Sequence, residues 1–108
     1  MAKVSLDGAA IGDWDTFHTA CQEVFGFPEF YGRNMNAWVD CLSYLRDEEN
    51  MSKFHLAADE ILQIDVENTD ALRAQAPEIL EDLIFCVSTI NERYEDYGEK
   101  PALHLVLL

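Results

Sequence analysis

Three histidines, three cysteines and a dense set of carboxylates are the residues of this sequence that could do chemistry. His18, His55 and His104 fall on three different stretches, and no His-x-x-x-His pair of a helical zinc site occurs. His18 reads as a surface helix residue and His104 as a strand residue. Cys21, Cys41 and Cys86 are odd in number, lack CxxC spacing and sit in apolar patterns. They read as reduced, buried thiols rather than a disulfide framework. Cys41 follows Asp40, and a neighbouring carboxylate raises a thiol's pKa, the reverse of what a thiolate nucleophile needs. The acidic run "RDEEN" at 46–50 lacks the ligand spacing of an EF-hand and reads as a solvated loop. GxGxxG, P-loop and GxSxG motifs are absent. No catalytic pair, metal ligand set or cofactor is expected, and the chain does not read as an enzyme.

What remains is one acid in an organised setting. In "FGFPEFYGRNMNAWVDCLSYL", Phe25 to Leu45, an aromatic turn runs into a helix. Gly26 stops the helix before it, Pro28 blocks further helix, and Gly32 allows a turn that other residues resist. Asn34 is a good N-cap for the second helix. Met35, Trp38, Leu42 and Leu45 then form one apolar stripe at helical spacing. Asn36, Asp40, Ser43 and Tyr44 point roughly the other way, and Val39 lies on the flank. An ordinary amphipathic helix with a charged outer face also accounts for Asp40. Of the aromatics Phe25, Phe27, Phe30 and Tyr31, most are expected in the core and a minority on a contact surface.

The elements that must hold this helix alternate. Lys3 to Leu6 is a strand closed by Asp7-Gly8. Asp13 or Asp15 caps a first helix that carries Trp14, Phe17, Cys21, Val24 and Phe25 on one face. Residues 46–60 are polar and loop-like. Ile61 to Val66 reads as a strand. Thr69 or Asp70 caps a short third helix, and Pro77 opens a fourth that runs to about Tyr97 and ends at Gly98. Its core candidates are Ile79, Leu80, Leu83, Ile84, Val87 and Ile90. Ala102 to Leu108 is nearly all apolar and suits a strand buried on both faces. The order β, α, α, β, α, α, β predicts an α/β fold: a three-stranded parallel sheet packed by three or four helices, in one domain over 1–108.

Composition narrows the partners. The 108 residues carry 7 Lys and Arg against 21 Asp and Glu, a formal net charge of -14. Such a field repels nucleic acid and anionic lipid and speeds encounter with a basic protein. No basic patch interleaves with aromatics, so nucleic-acid binding is not expected. The N-terminus lacks the apolar run of a signal peptide, and no stretch approaches the roughly 20 apolar residues of a membrane span. A cytoplasmic protein, monomeric when free, is expected.

The segment Phe27 to Leu42 resembles the signature of the barstar family, small intracellular inhibitors of secreted ribonucleases. The resemblance rests on Pro28-Glu29, the aromatic pair Phe30-Tyr31, Gly32, Asn34 and Asp40-Cys41-Leu42. "KVSLDGAAI" and the apolar C-terminal strand are similar to the family's ends, and elsewhere the likeness is one of element order. It implies the same three-stranded fold. It also implies a mechanism, in which the second helix and the preceding loop cross a ribonuclease cleft and Asp40 takes the place of a substrate phosphate among cationic side chains. By this likeness Asn34 is a loop contact, Phe30 packs on the enzyme and Ser43 is a further contact. Asn36 stands where the prototype has a second acid, Val39 where it has tryptophan, and Tyr44 where it has glycine. Glu92 matches a further acidic contact, in a register that the longer helix and loop leave open. The expected partner is a basic ribonuclease or related toxin nuclease. A second reading keeps the fold but uses it, through residues 46–60, as a regulatory module for a protein that is not a nuclease.

Overall fold

The computed structural model describes residues 2–47 and 51–108. The chain runs through β1 (Ala2–Asp7), a 3-10 turn at Gly8–Ala10, α1 (Trp14–Phe25), α2 (Met35–Leu42), β2 (Leu62–Glu67), α3 (Thr69–Gln75), α4 (Pro77–Asp96) and β3 (Leu103–Leu107). The strands form one parallel sheet in the order β1-β2-β3, with Leu62 opposite both Ala2 and Leu103. Parallel neighbours need crossovers: α1 and α2 lie in the first connection, α3 and α4 in the second. Two crossovers of the same hand that advance in the same direction put all their helices on one face of the sheet.

Burial follows from that topology. Val4, Leu6, Leu62, Ile64, Val66 and Leu103 point to the helices and are buried. The alternate residues form the opposite, mostly polar face, where the central Asp65, itself buried, pairs with Lys3 at 3.7 Å and accepts from Gln63 at 2.8 Å. The expectation that the last strand is buried on both faces is therefore corrected. β3 is an edge strand with one face toward water, where His104 is exposed and Val106 half-buried, and on its helix side Leu107, at the end of the strand, is 41% exposed. Central β2, with neighbours on both sides, is the more deeply buried strand.

Local chemistry sets the helix ends. Asp13, not Asp15, caps α1 in a reciprocal box with Thr16, its side chain accepting from Thr16 N at 2.9 Å. Gly26 ends that helix at φ 65°, a conformation glycine adopts without strain. The cap of α3 is Asn68 at φ 53°, rather than Thr69 or Asp70. Thr69 instead donates to Val66 O at 3.0 Å as the chain leaves β2, and asparagine tolerates the left-handed turn. Pro77 opens α4 as expected. Ile79, Leu80, Leu83, Val87 and Ile90 of α4 are buried, but Ile84 is 44% exposed on the flank next to β3.

The run 46–50 lies mostly outside the described residues. Beyond it, residues 51–57 are held to the body. Lys53 N donates to Phe25 O at 2.9 Å and Leu56 N to Leu45 O at 2.7 Å. Leu56 is buried, and Met51 and Phe54 pack against the core. This segment thus ties the end of α1 to the exit of α2.

Candidate docking face on the second helix

The loop before α2 is held at both ends. Tyr31 N donates to Pro28 O at 2.9 Å. The Tyr31 ring packs on Phe27 with centroids 4.6 Å apart, and its hydroxyl meets His18 Nδ1 at 2.7 Å in the interior. His18 is therefore a buried partner of the loop and not a surface residue. Burial, then the Arg33 charge, lowers its pKa below the ordinary 6.5, so the imidazole is neutral near pH 7. Arg33 takes the positive φ, 53°, that the sequence suggested for Gly32. Its guanidinium compensates by reaching α1, donating to Asp15 Oδ1 at 2.8 Å, Asp15 O at 3.0 Å, Thr19 Oγ1 at 2.9 Å and Gln22 Oε1 at 3.2 Å. Gly32 matters for closeness instead: a Cβ there would sit 3.3 Å from Asn34 Nδ2 and 3.5 Å from Ala37 Cβ.

Asn34 caps α2, its Oδ1 accepting from Ala37 N at 2.8 Å. The apolar stripe behaves as its spacing predicts, with Trp38, Leu42 and Leu45 buried and Met35 half-buried. The helix itself stops at Leu42, earlier than the stripe suggested. Tyr94 of α4 clamps that exit: its hydroxyl donates to Leu42 O at 3.1 Å and accepts from Leu45 N at 3.0 Å. Four buried aromatics, Phe17, Phe25, Phe27 and Tyr31, thus sit behind a loop whose tip, Phe30, is 75% exposed.

On the outer face Gly32, Asn34, Asn36, Asp40 and Tyr44 are exposed, and Ser43 is partly so. Asn36, Asp40, Ser43 and Tyr44 recur at helical spacing and share one side. Two expected residues do not join them. Val39 is 7% exposed, because the 100° step from Trp38 turns it into the seam with α4 rather than outward. Glu92 lies on the far flank of α4, with Leu105 and Leu107 of β3. The α4 residue that reaches Asp40 is Arg93, one position on, which the sequence reading missed. The spacing of Cys86, Thr89 and Arg93 at i, i+3 and i+7 is the signal that places it beside α2.

Asp40 lies in the last turn of α2, where the helix dipole disfavours an anion by about 0.3–1 kcal/mol. Helix economy would put a lysine or arginine there, and α2 has none in that turn. Cys41 beside it is buried and its thiol raised, first by burial and then by Asp40; burial pushes Cys21 up to about 12. Neither is a nucleophile at neutral pH. Among the described residues no group of three or more His, Cys, Asp or Glu is arranged to hold a metal ion. Among those residues, too, no helix is long and apolar enough to cross a membrane.

Comparison with known proteins decides the family. A family model described as Barstar (barnase inhibitor) matches residues 1–106. The chain belongs to the barstar family. This accounts for the parallel three-stranded sheet, and members of this family are inhibitor proteins rather than enzymes. A curated relative, "Putative ribonuclease inhibitor YrdF" of Bacillus subtilis (strain 168), is 35% identical over 43 residues. That stretch is 40% of this chain and 47% of the relative, so the chain spans about half the length of the curated protein it matches.

Proposed function

We propose that this barstar-family protein inhibits a barnase-type ribonuclease in the cytoplasm, as a monomer, by laying α2 and the 27–34 loop over the enzyme's active site. The observation that carries the reading is the placement of Asp40. It is an exposed acid on a capped helix, at the end of that helix where an acid lowers helix stability, in a segment that resembles the family signature. Phe30, Gly32, Asn34, Asn36, Ser43 and Tyr44 surround it as contacts. Val39 supports the helix from within.

Asp40 takes the place of a substrate phosphate among the enzyme's cations, through charge-assisted hydrogen bonds. Ordering in advance reduces the entropy lost on binding. The chain's charge of -14 adds long-range attraction to a basic enzyme. The barnase–barstar pair is itself a reference system for such steering, so charge and family point the same way.

The test is inhibition of barnase by wild-type protein and by Asp40→Ala. Removing the acid strands the enzyme's cations, and the variant is expected to lose at least about 2 kcal/mol of binding. Equal inhibition by both proteins would remove Asp40 from the mechanism. Absence of inhibition by either would overturn the ribonuclease reading for this enzyme class.

A further inference from the structure

Asp40 is exposed but not alone. Arg93 Nη1 lies 3.3 Å from Asp40 Oδ1 and 3.1 Å from Ser43 Oγ. Their side chains are 49% and 63% exposed, for Arg93 and Asp40 respectively, so the pair stands at the surface and contributes little to stability. Two clefts meet at this guanidinium, one running to Met35, Val39 and Phe85, the other to Tyr44, Asp47 and Tyr97. Among the described residues lining them, Arg93 is the one cation.

The other arginines near the site are consumed by the fold. Arg33 has four acceptors on α1, and the Arg46 side chain, 5% exposed, has four of its own. Arg93 differs: among the described residues only its Nη1 has acceptors. Nη2 and Nε remain as a planar pair of donors, the arrangement that suits a carboxylate.

We infer that Arg93 sets the specificity of the docking face: it holds Asp40 back from partners that bring cations alone, and favours a partner that sets a carboxylate beside the cation meant for Asp40. A cation closing on Asp40 also closes on Arg93, and the like charges repel. A carboxylate next to that cation draws Arg93 off and completes a four-charge array of alternating sign. This rests on the reading of α2 as the docking surface, but its test uses no nuclease.

The full chain, labelled with ¹⁵N, is titrated at low salt with two amidated peptides, tetra-arginine and an alternating Arg-Glu tetrapeptide, following the amides of Asp40, Cys41 and Ser43. Arg93→Gln is expected to tighten tetra-arginine by about two- to fivefold, the range an exposed pair can withhold, and to weaken the alternating peptide. The gain is expected to vanish in Asp40→Asn/Arg93→Gln. Parallel responses to the two peptides, the same gain without Asp40, or no response at these amides in any variant would overturn the inference. Barnase inhibition lost on Asp40→Ala, with parallel peptide responses, would remove Arg93's role and leave the inhibitor reading standing. No barnase inhibition with the peptide contrast intact would do the reverse.

Discussion

Single side chains here do work that their types do not announce. His18 carries no chemistry. It stands buried behind the docking loop, holding Tyr31, whose hydroxyl burial keeps protonated. Because the folded imidazole has a lowered pKa, the unfolded chain takes up a proton where the folded chain does not. Stability is therefore complete above the unfolded value, near 6.5, and falls as the pH drops through 6.5 toward the folded value. The urea midpoint is expected to fall between about pH 7.5 and about pH 5.5, and His18→Gln to flatten that slope. A slope unchanged by the substitution would remove His18 as its source. Asp40, Asn34 and Phe30 were legible in the sequence, because a cap, a turn and an outward helix position are local properties. His18, Val39 and Arg93 were not, because each is defined by a neighbour on another element.

At the scale of elements, α2 is a helix of 8 residues, too short to stand by itself. Its start is fixed by Asn34 and its end by the Tyr94 hydroxyl of α4. Tyr94→Phe keeps the ring and leaves Leu42 O and Leu45 N without their partner. A loss of about 1–3 kcal/mol is expected by urea denaturation, since both groups are buried. Faster dissociation from barnase should accompany it, because the helix end beside Asp40 is no longer held; an unchanged dissociation rate would separate the clamp from docking. Helices and strands were legible at nearly their true bounds, since apolar period and Gly or Pro stops mark them. The faces of β3 and Ile84 were misread for one reason. An apolar run shows that a strand is wanted inside, but only the strand order shows which edge it occupies.

For the whole molecule, charge and shape divide the work. The helices cover one side of the sheet, and the opposite side is mostly polar, so the hydrophobic core lies between the sheet and the helix layer. A net charge of -14 surrounds this body. If the partner is a basic ribonuclease, the association rate should fall at least about tenfold between about 10 mM and about 0.5 M salt, with a much smaller change in dissociation. Stopped-flow mixing with barnase measures both. An association rate indifferent to salt would mean that the field plays no part in capture.

The Tyr94 clamp also bears on when the inhibitor comes into being during synthesis. The first strand pairs across 60 positions, Ala2 with Leu62, and α2 lies inside that loop. Its exit is held by Leu56 and, through the hydroxyl clamp, by a residue 49 positions beyond Leu45. A nascent chain that has released α2 from the ribosome therefore carries the acid without the scaffold that presents it. The clamp on the docking helix can close only after α4 has emerged, and a product truncated before Tyr94 lacks it.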